Sequence, residues 1–220
     1  MAPNQPVVQT VSAFGDSERG RRRKLPRAVR EQLILNAADE VVGERGYYLA
    51  SMEEIAQRAG ITKPIVYAYF GSKENLYLAA VTRSGRALLD GLRAAVETPR
   101  AKDQLRAAAI AFFSFVIERR DGWAVLRRET GGVPAVAHLL ATFRAQIATL
   151  LAARVTQAMT DRGGLSRAIN AEAVAYAVVG AAEALANYAL DHPGASTEQL
   201  ADDLFAAVWS GLADLPRANR

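Results

Sequence analysis

Residues 50–76 read ASMEEIAQRAGITKPIVYAYFGSKENL, and the second half of this stretch gathers side chains suited to touching a polyanion. Thr62, Tyr67 and Tyr69 carry hydroxyls, Lys63 and Lys73 carry cations, and Ile65, Ala68 and the Thr62 methyl offer small apolar groups. Hydroxyls and ammonium groups reach phosphate oxygens or base acceptors, while methyls touch the thymine methyl in the major groove. With Ser51 and Pro64, which sit at the starts of the same short helices, these residues form the candidate DNA-contacting set.

Local signals supply the helices that must position them. Ser51 followed by Glu54 is a capping box, which predicts a helix from 52 to about 59. Gly60 can take the left-handed conformation that ends it, and Ile61 then drops into the core. Thr62 can cap a second helix, Pro64 is tolerated in its first turn, and that helix reaches about residue 69. Ile55, Ala56, Ile61, Val66 and Phe70 have the spacing to pack the pair together, leaving the polyanion-seeking set outward. Two short helices about a glycine turn are a helix-turn-helix, although the same arrangement also occurs in domains that bind no DNA.

From about Arg30 to Val81 the chain resembles the DNA-binding domain of tetracycline-repressor-type transcriptional regulators, through this helix-glycine-helix and the Tyr67-Ala68-Tyr69-Phe70-Gly71-Ser72-Lys73-Glu74 run after it. The resemblance implies that residues 62–69 form the recognition helix, that Tyr69 meets a phosphate and that Lys73 contacts phosphate from the start of a fourth helix. Pro64, Ile65 and Asn75 depart from the usual pattern, so no base preference carries over.

The net charge of +4 is unevenly spread. Arg19, Arg21, Arg22, Arg23, Lys24, Arg27 and Arg30 stand together with no acid among them, just ahead of the first predicted helix. Such a run reads either as an arm that follows phosphates or enters the minor groove, or as a solvated tail. Residues 1–24 lack apolar periodicity and are expected to be disordered without DNA. No signal-peptide pattern opens the sequence, which suits a cytoplasmic protein, and the apolar stretch at 171–190 is interrupted by Glu172, Glu183 and Asn187, so no membrane span is expected. The chain has no cysteine, so neither a disulfide framework nor a cysteine-based zinc site is possible, and its two histidines, His138 and His192, are too far apart in sequence for a local metal motif; no cofactor is expected.

The remaining pattern is helical throughout, and the fold class is all-α with about nine helices. A first helix spans 26–45, with Val29, Leu33, Ala37 and Val41 on one face and Gly46 as its stop. Ser72 caps a fourth that runs to about 96, and Pro99 marks a joint. Further helices cover 101–119, about 121–129, 134–160, 170–190 and, behind a Ser196–Gln199 capping box, 197 to about 215, with breaks at Gly131-Gly132 and Gly163-Gly164. The organisation expected is a basic arm at 1–24, a helix-turn-helix domain at 25–80 and a helical body at 81–220.

In the 170–190 helix, Val174, Val178, Ala181 and Leu185 make one stripe, while Tyr176, Gly180, Glu183 and Asn187 make another. With the wide apolar face of Leu204, Phe205, Val208, Trp209 and Leu212, this suits either packing within one chain or a homodimer. The resemblance implies the latter, through a four-helix bundle between subunits. Two related heads would read a palindromic, double-stranded DNA operator. The resemblance also implies a small-molecule effector site in the body, for which Phe112, Phe113, Phe115, Trp123, Phe143, Tyr176 and Tyr188 are candidate lining, with Arg127, His138, Glu183 and Asn187 as polar groups. An apolar or aromatic effector fits that list, and ordinary core packing explains each aromatic equally. Glu183, a carboxylate amid alanines, must find a partner or face water.

No Ser-His-Asp order, phosphate-binding glycine loop or HExxH is present, so catalysis has no visible machinery. The expectation is a DNA-binding regulator, a repressor released by its effector. The competing expectation, a helical adaptor that binds through apolar faces, would lack the steep salt dependence of phosphate contacts.

Overall fold

The computed structural model describes residues 25–97, 101–127, 133–160 and 170–213. The arm at 1–24, Pro99 and the two glycine pairs lie outside these residues, as do the side chains of Val208, Trp209 and Leu212. Among the described residues the fold is all-α, in the order α1 (Arg27–Leu49), α2 (Met52–Arg58), α3 (Lys63–Phe70), α4 (Lys73–Ala95), α5 (Ala101–Glu118), α6 (Arg120–Arg127), α7 (Pro134–Thr160), α8 (Ala171–Asp191) and α9 (Thr197–Ala213).

Helix ends follow local chemistry, with some differences from expectation. Gly46 breaks α1 at φ 79°, ψ 165°, yet a last turn of helix carries on to Leu49. Ser51 accepts from the Glu54 N–H at 3.1 Å. The Glu54 carboxylate does not return the bond; it takes Arg45 at 2.9 Å and Arg58 at 3.5 Å. Gly60, at φ 65°, lets the Ile61 N–H reach back to the Ala56 carbonyl at 2.9 Å, the six-to-one bond of a glycine-closed helix. Thr62 occupies the N-cap of α3 without making a side-chain capping bond, a correction to its expected role that leaves its hydroxyl free of that duty. Ser72 caps α4 through the Asn75 N–H at 3.0 Å, and Asn170 caps α8 through Glu172 and Ala173 at 2.9 and 3.2 Å.

The buried stripe of α1 is Ile34, Leu35, Ala37, Ala38, Val41 and Val42, whereas Val29 is exposed. These residues, with Met52, Ile55, Ala56, Val66, Leu76, Tyr77, Ala80 and Val81, make the core of the head. Val125 from α6 and Val133 and Val136 at the start of α7 complete the same core. A second core, in the body, gathers Leu88 and Leu92 of α4 with residues of α5 to α9. Three helices therefore enter both cores: α4, α6 through Val125 and Trp123, and α7 through Val136, Ala148 and Leu151. Both α7 and α8 are long and apolar enough to cross a membrane by length and composition, but each packs on other helices of the body.

Candidate nucleic-acid interface and effector cavity

Helix α3 is held by Val66, which is fully buried, with Ile61 and Phe70 packed partly against the head core. A helix rotates about 100° per residue, so burying 66 turns 64, 67 and 68 away from the core, while 62 and 63 stand at the open start of the helix. Thr62, Lys63, Pro64, Tyr67 and Ala68 are accordingly exposed, and Ile65 and Tyr69 are half-buried at the edge. Tyr67 is the large hydrophobic side chain exposed on this face, at 43%.

The cations around this face are already engaged. Lys63 lies 3.3 Å from Glu53 of α2. Both groups are exposed, and such a pair is worth about 1 kcal/mol or less, so a phosphate can replace Glu53 at little cost. The Tyr69 ring is covered by Arg27 at 5.2 Å and Arg30 at 5.6 Å, and its hydroxyl donates a long bond, 3.4 Å, to the Arg27 carbonyl. This residue braces the start of α1 against α3. Lys73 donates to the Tyr48 carbonyl at 3.1 Å, sits 4.6 Å from the Tyr47 ring centre, and has its pKa lowered by burial. Tyr47 in turn stacks on Tyr77 of α4 at 4.9 Å. Thus Lys73 fastens the end of α1 to the start of α4, and Ser51 stands exposed as the cap of α2 beside that junction.

Two further exposed groups escaped the sequence reading: Tyr48 at 72% and Leu49 at 74% exposure. Helical periodicity assigned the segment after Gly46 to a turn, and nothing in the pattern distinguishes an exposed apolar turn from a buried one. On the far side of α2, Arg58 makes a two-pronged pair with Glu44 at 2.6 and 2.9 Å, holding that carboxyl below its ordinary range.

The body forms a cavity of about 500 Å³, open to solvent at one side, between α4, α5, α6, α7, α8 and α9. Leu88 and Leu92 of α4, Leu105 and Phe112 of α5, Trp123 of α6, Leu140, Phe143 and Ile147 of α7 and Val178 of α8 make an apolar wall. Phe112 and Trp123 meet edge to face at 5.3 Å. Four polar side chains interrupt it: Arg127, Arg144, Glu183 and Asn187. Glu183 finds its partner in Arg144 of α7, a forked pair at 2.7 and 2.9 Å with a third contact at 3.1 Å.

Of the residues named from sequence, Phe112, Trp123, Arg127, Phe143, Glu183 and Asn187 line this space. Phe113, Phe115 and Tyr176 do not. The cavity face of α5 is 105, 108, 109 and 112; Phe113 is turned about 100° from it, and Phe115 lies nearly a turn beyond, both buried in the body core. Tyr176 faces outward from α8 at 42% exposure. His138 and Tyr188 are likewise exposed, Tyr188 stacking on His192 at 3.9 Å. Gly85 and Arg144 belong to the wall and were missed; a glycine inside a helical run was the available signal for the first.

Two family models match this chain: "Bacterial regulatory proteins, tetR family" at residues 34–80, and "Tetracyclin repressor-like, C-terminal domain" at 101–211. The HTH-type transcriptional activator FasR of Mycolicibacterium smegmatis is 44% identical over 113 residues, 51% of each chain, so this chain spans about half the length of that relative. An uncharacterized HTH-type transcriptional regulator of Mycobacterium tuberculosis is 25% identical across 100% of this chain and 91% of its own. Among solved structures, a TetR-like transcriptional regulator from Rhodococcus sp. RHA1 superposes with a TM-score of 0.75 at 34% identity, covering 87% of this chain and 100% of that one. FadR from Bacillus subtilis, in complex with stearoyl-CoA, shares the fold at a TM-score of 0.71 and 18% identity, over 82% of this chain and 98% of its own. Head, body and matched residues agree: the chain belongs to the tetracycline-repressor family of DNA-binding transcriptional regulators.

Proposed function

We propose that this protein is a cytoplasmic homodimeric regulator whose paired heads hold a palindromic operator and whose body releases it on binding a small apolar molecule, the behaviour of a repressor. The observation that carries this reading is the apolar cavity reached directly by α4, the helix whose other end is fastened to the reading head. A volume of about 500 Å³ falls within the range of roughly 300–1,000 Å³ that holds small-molecule ligands. Its wall favours an effector with a long or broad apolar body, and Arg127, Arg144, Glu183 and Asn187 favour one polar end. The same fold accommodates such a molecule in Bacillus subtilis FadR, whose structure contains stearoyl-CoA.

Dimerisation is supported by the outer face of α8. Tyr176, Ala177, Gly180, Ala181 and Ala184 are exposed there, and a Cβ at Gly180 would meet nothing within 4 Å. A row of small residues at helical spacing allows a partner helix to approach closely. Ligand acts by favouring a body arrangement in which the heads no longer match the operator spacing, so operator and effector must weaken one another by the same factor.

The test is selection of binding sites from random DNA, followed by gel shifts over a salt series. Inverted repeats bound by dimer, with affinity falling steeply as salt rises, are expected. Asymmetric half-sites bound by monomer would refute the symmetric model, and salt-indifferent binding would favour an adaptor. In vitro transcription from the selected site then separates repression from the activation for which FasR is named.

A further inference from the structure

Three consecutive residues of α4 contact three different helices. Arg83 reaches α1, its guanidinium donating to Gln32 at 3.1 Å, Asn36 at 2.8 Å and Asp39 at 2.5 Å. Ser84 meets α6, its hydroxyl oxygen 3.1 Å from where a Cβ on Gly122 would stand. Gly85 meets α7: the ring of Phe143 fills the notch left by the missing side chain, so closely that a Cβ there would overlap three ring carbons. Both Gly85 and Phe143 face the cavity.

We propose that Phe143, seated against Gly85, is the residue that senses occupancy of the cavity and passes it to α4. The inference rests on the reading of the cavity as an effector site. An apolar molecule long enough to reach this wall must displace the ring or press it against the α4 backbone, and with no side chain at 85 there is nothing compliant between ring and helix. A ring seated this closely in a notch is either in it or out of it, so the response is an exchange between two arrangements. The output lies two residues away, where Arg83 carries any movement of α4 to α1 and thus to the head. Ligands too short to touch Phe143 bind without releasing DNA.

Gly85→Ala supplies the displacement permanently, since its methyl excludes the ring from the notch. Operator affinity of Gly85→Ala should fall about tenfold or more, within the range typical of coupling between two sites. The double variant should recover to within about threefold of Phe143→Ala alone, a strong departure from additivity. A Gly85→Ala protein that binds operator like the wild type, or a double variant as weak as the single one, overturns the proposal. Should Gly85→Ala fail to fold by circular dichroism, rescue of folding by Phe143→Ala supports the contact, and failure of both counts against it.

The second arm uses 1-anilinonaphthalene-8-sulfonate, read by energy transfer from Trp123 in a Trp209→Phe background where it is the sole tryptophan. The dye should bind the wild type and weaken its operator complex; it should bind Phe143→Ala as well, with the effect on operator reduced to nearly none. Equal weakening in both proteins overturns the sensor and leaves the effector cavity standing. A dye that does not bind, or binds without touching operator affinity, overturns the cavity reading and the sensor with it.

Discussion

Asp39 is a carboxylate with 7% exposure, and replacing it tests whether burial or pairing governs it. The two influences oppose each other. Arg83 donates to one of its oxygens and, with the Ser84 hydroxyl, favours the charged form, while burial disfavours it. Burial prevails, with Asp121 adding to it, and the pKa rises from 3.8 to about 6. The folded protein therefore holds a proton on Asp39 up to about pH 6, where the unfolded chain has released it from about pH 3.8. Protonation favours folding, so the stability this group contributes is fully present below about pH 3.8 and is lost as pH rises through about 6. A displacement of about 2.2 pH units at about 1.36 kcal/mol each gives about 3 kcal/mol. Glu44, Glu198 and Asp202 have lowered pKa values and titrate in the opposite sense, stabilising at neutral pH and losing that contribution in acid. Asp39→Asn removes one titration while leaving these in place, and keeps an amide oxygen for Arg83. Urea unfolding of both proteins at fixed concentration should show the Asp39→Asn variant gaining on the wild type by about 3 kcal/mol between about pH 4 and 7.5, most of it before about pH 6.5. A difference that is flat with pH, or a variant that loses ground as pH rises, would refute the claim that burial dominates.

Three further outcomes are expected. Tyr67→Ala should alter the sequence selected from random DNA, whereas Lys73→Ala should weaken all DNA alike and make the salt slope shallower by about one; unchanged affinity in both would mean that α3 is not the reading helix. Removing residues 1–24 deletes Arg19, Arg21, Arg22, Arg23 and Lys24 and should flatten the plot of log affinity against log salt by about two to four, while an unaltered slope would deny those cations any phosphate contact. Ala184→Arg, on the small-residue face of α8, should yield monomers by light scattering and lose operator affinity by at least about tenfold; a persistent dimer places the interface elsewhere.

How far the sequence revealed this arrangement depends on the range of the interactions involved. Capping residues such as Ser51, Ser72, Asn170 and Ser196 act within three positions, and each is found at a helix start with its bond formed. On α3, burying Val66 turns 64, 67 and 68 outward, so rotation along a helix sufficed for those, whereas Thr62 and Lys63 owe their exposure to the helix start and Ile65 and Tyr69 are half-buried. Cavity residues are harder because they are chosen by how six helices meet. Phe112 and Phe113 are adjacent and alike in chemistry, and only the packing of α5 decides which of them faces the space. Arg144 gave no hint of itself, since its partner Glu183 lies on another helix 39 residues away in sequence. Gly85 could have been questioned, because a glycine within a helix costs about 1 kcal/mol relative to alanine and usually marks a close approach.

The division of the chain into head and body has a physical limit in α4 and α6. Leu76, Tyr77, Ala80 and Val81 lie in one core and Leu88 and Leu92 in the other, so a boundary drawn at residue 80 cuts through a helix about 35 Å long. Three valines of the head core, Val125, Val133 and Val136, arrive from beyond that boundary. Each contributes about 1.5–3 kcal/mol on full burial, so together they supply about 5–9 kcal/mol, comparable with the whole net stability of a small domain. A fragment ending at residue 97 would keep every DNA-facing residue yet lose that contribution, and it should show no cooperative thermal transition by circular dichroism and little operator binding. A sharp melt with retained binding would mean that the valines merely cover a head already stable by itself. If the fragment does unfold, the body is a structural part of the reading head, and a movement of α6 or α7 against α4 must alter the packing on which α3 stands.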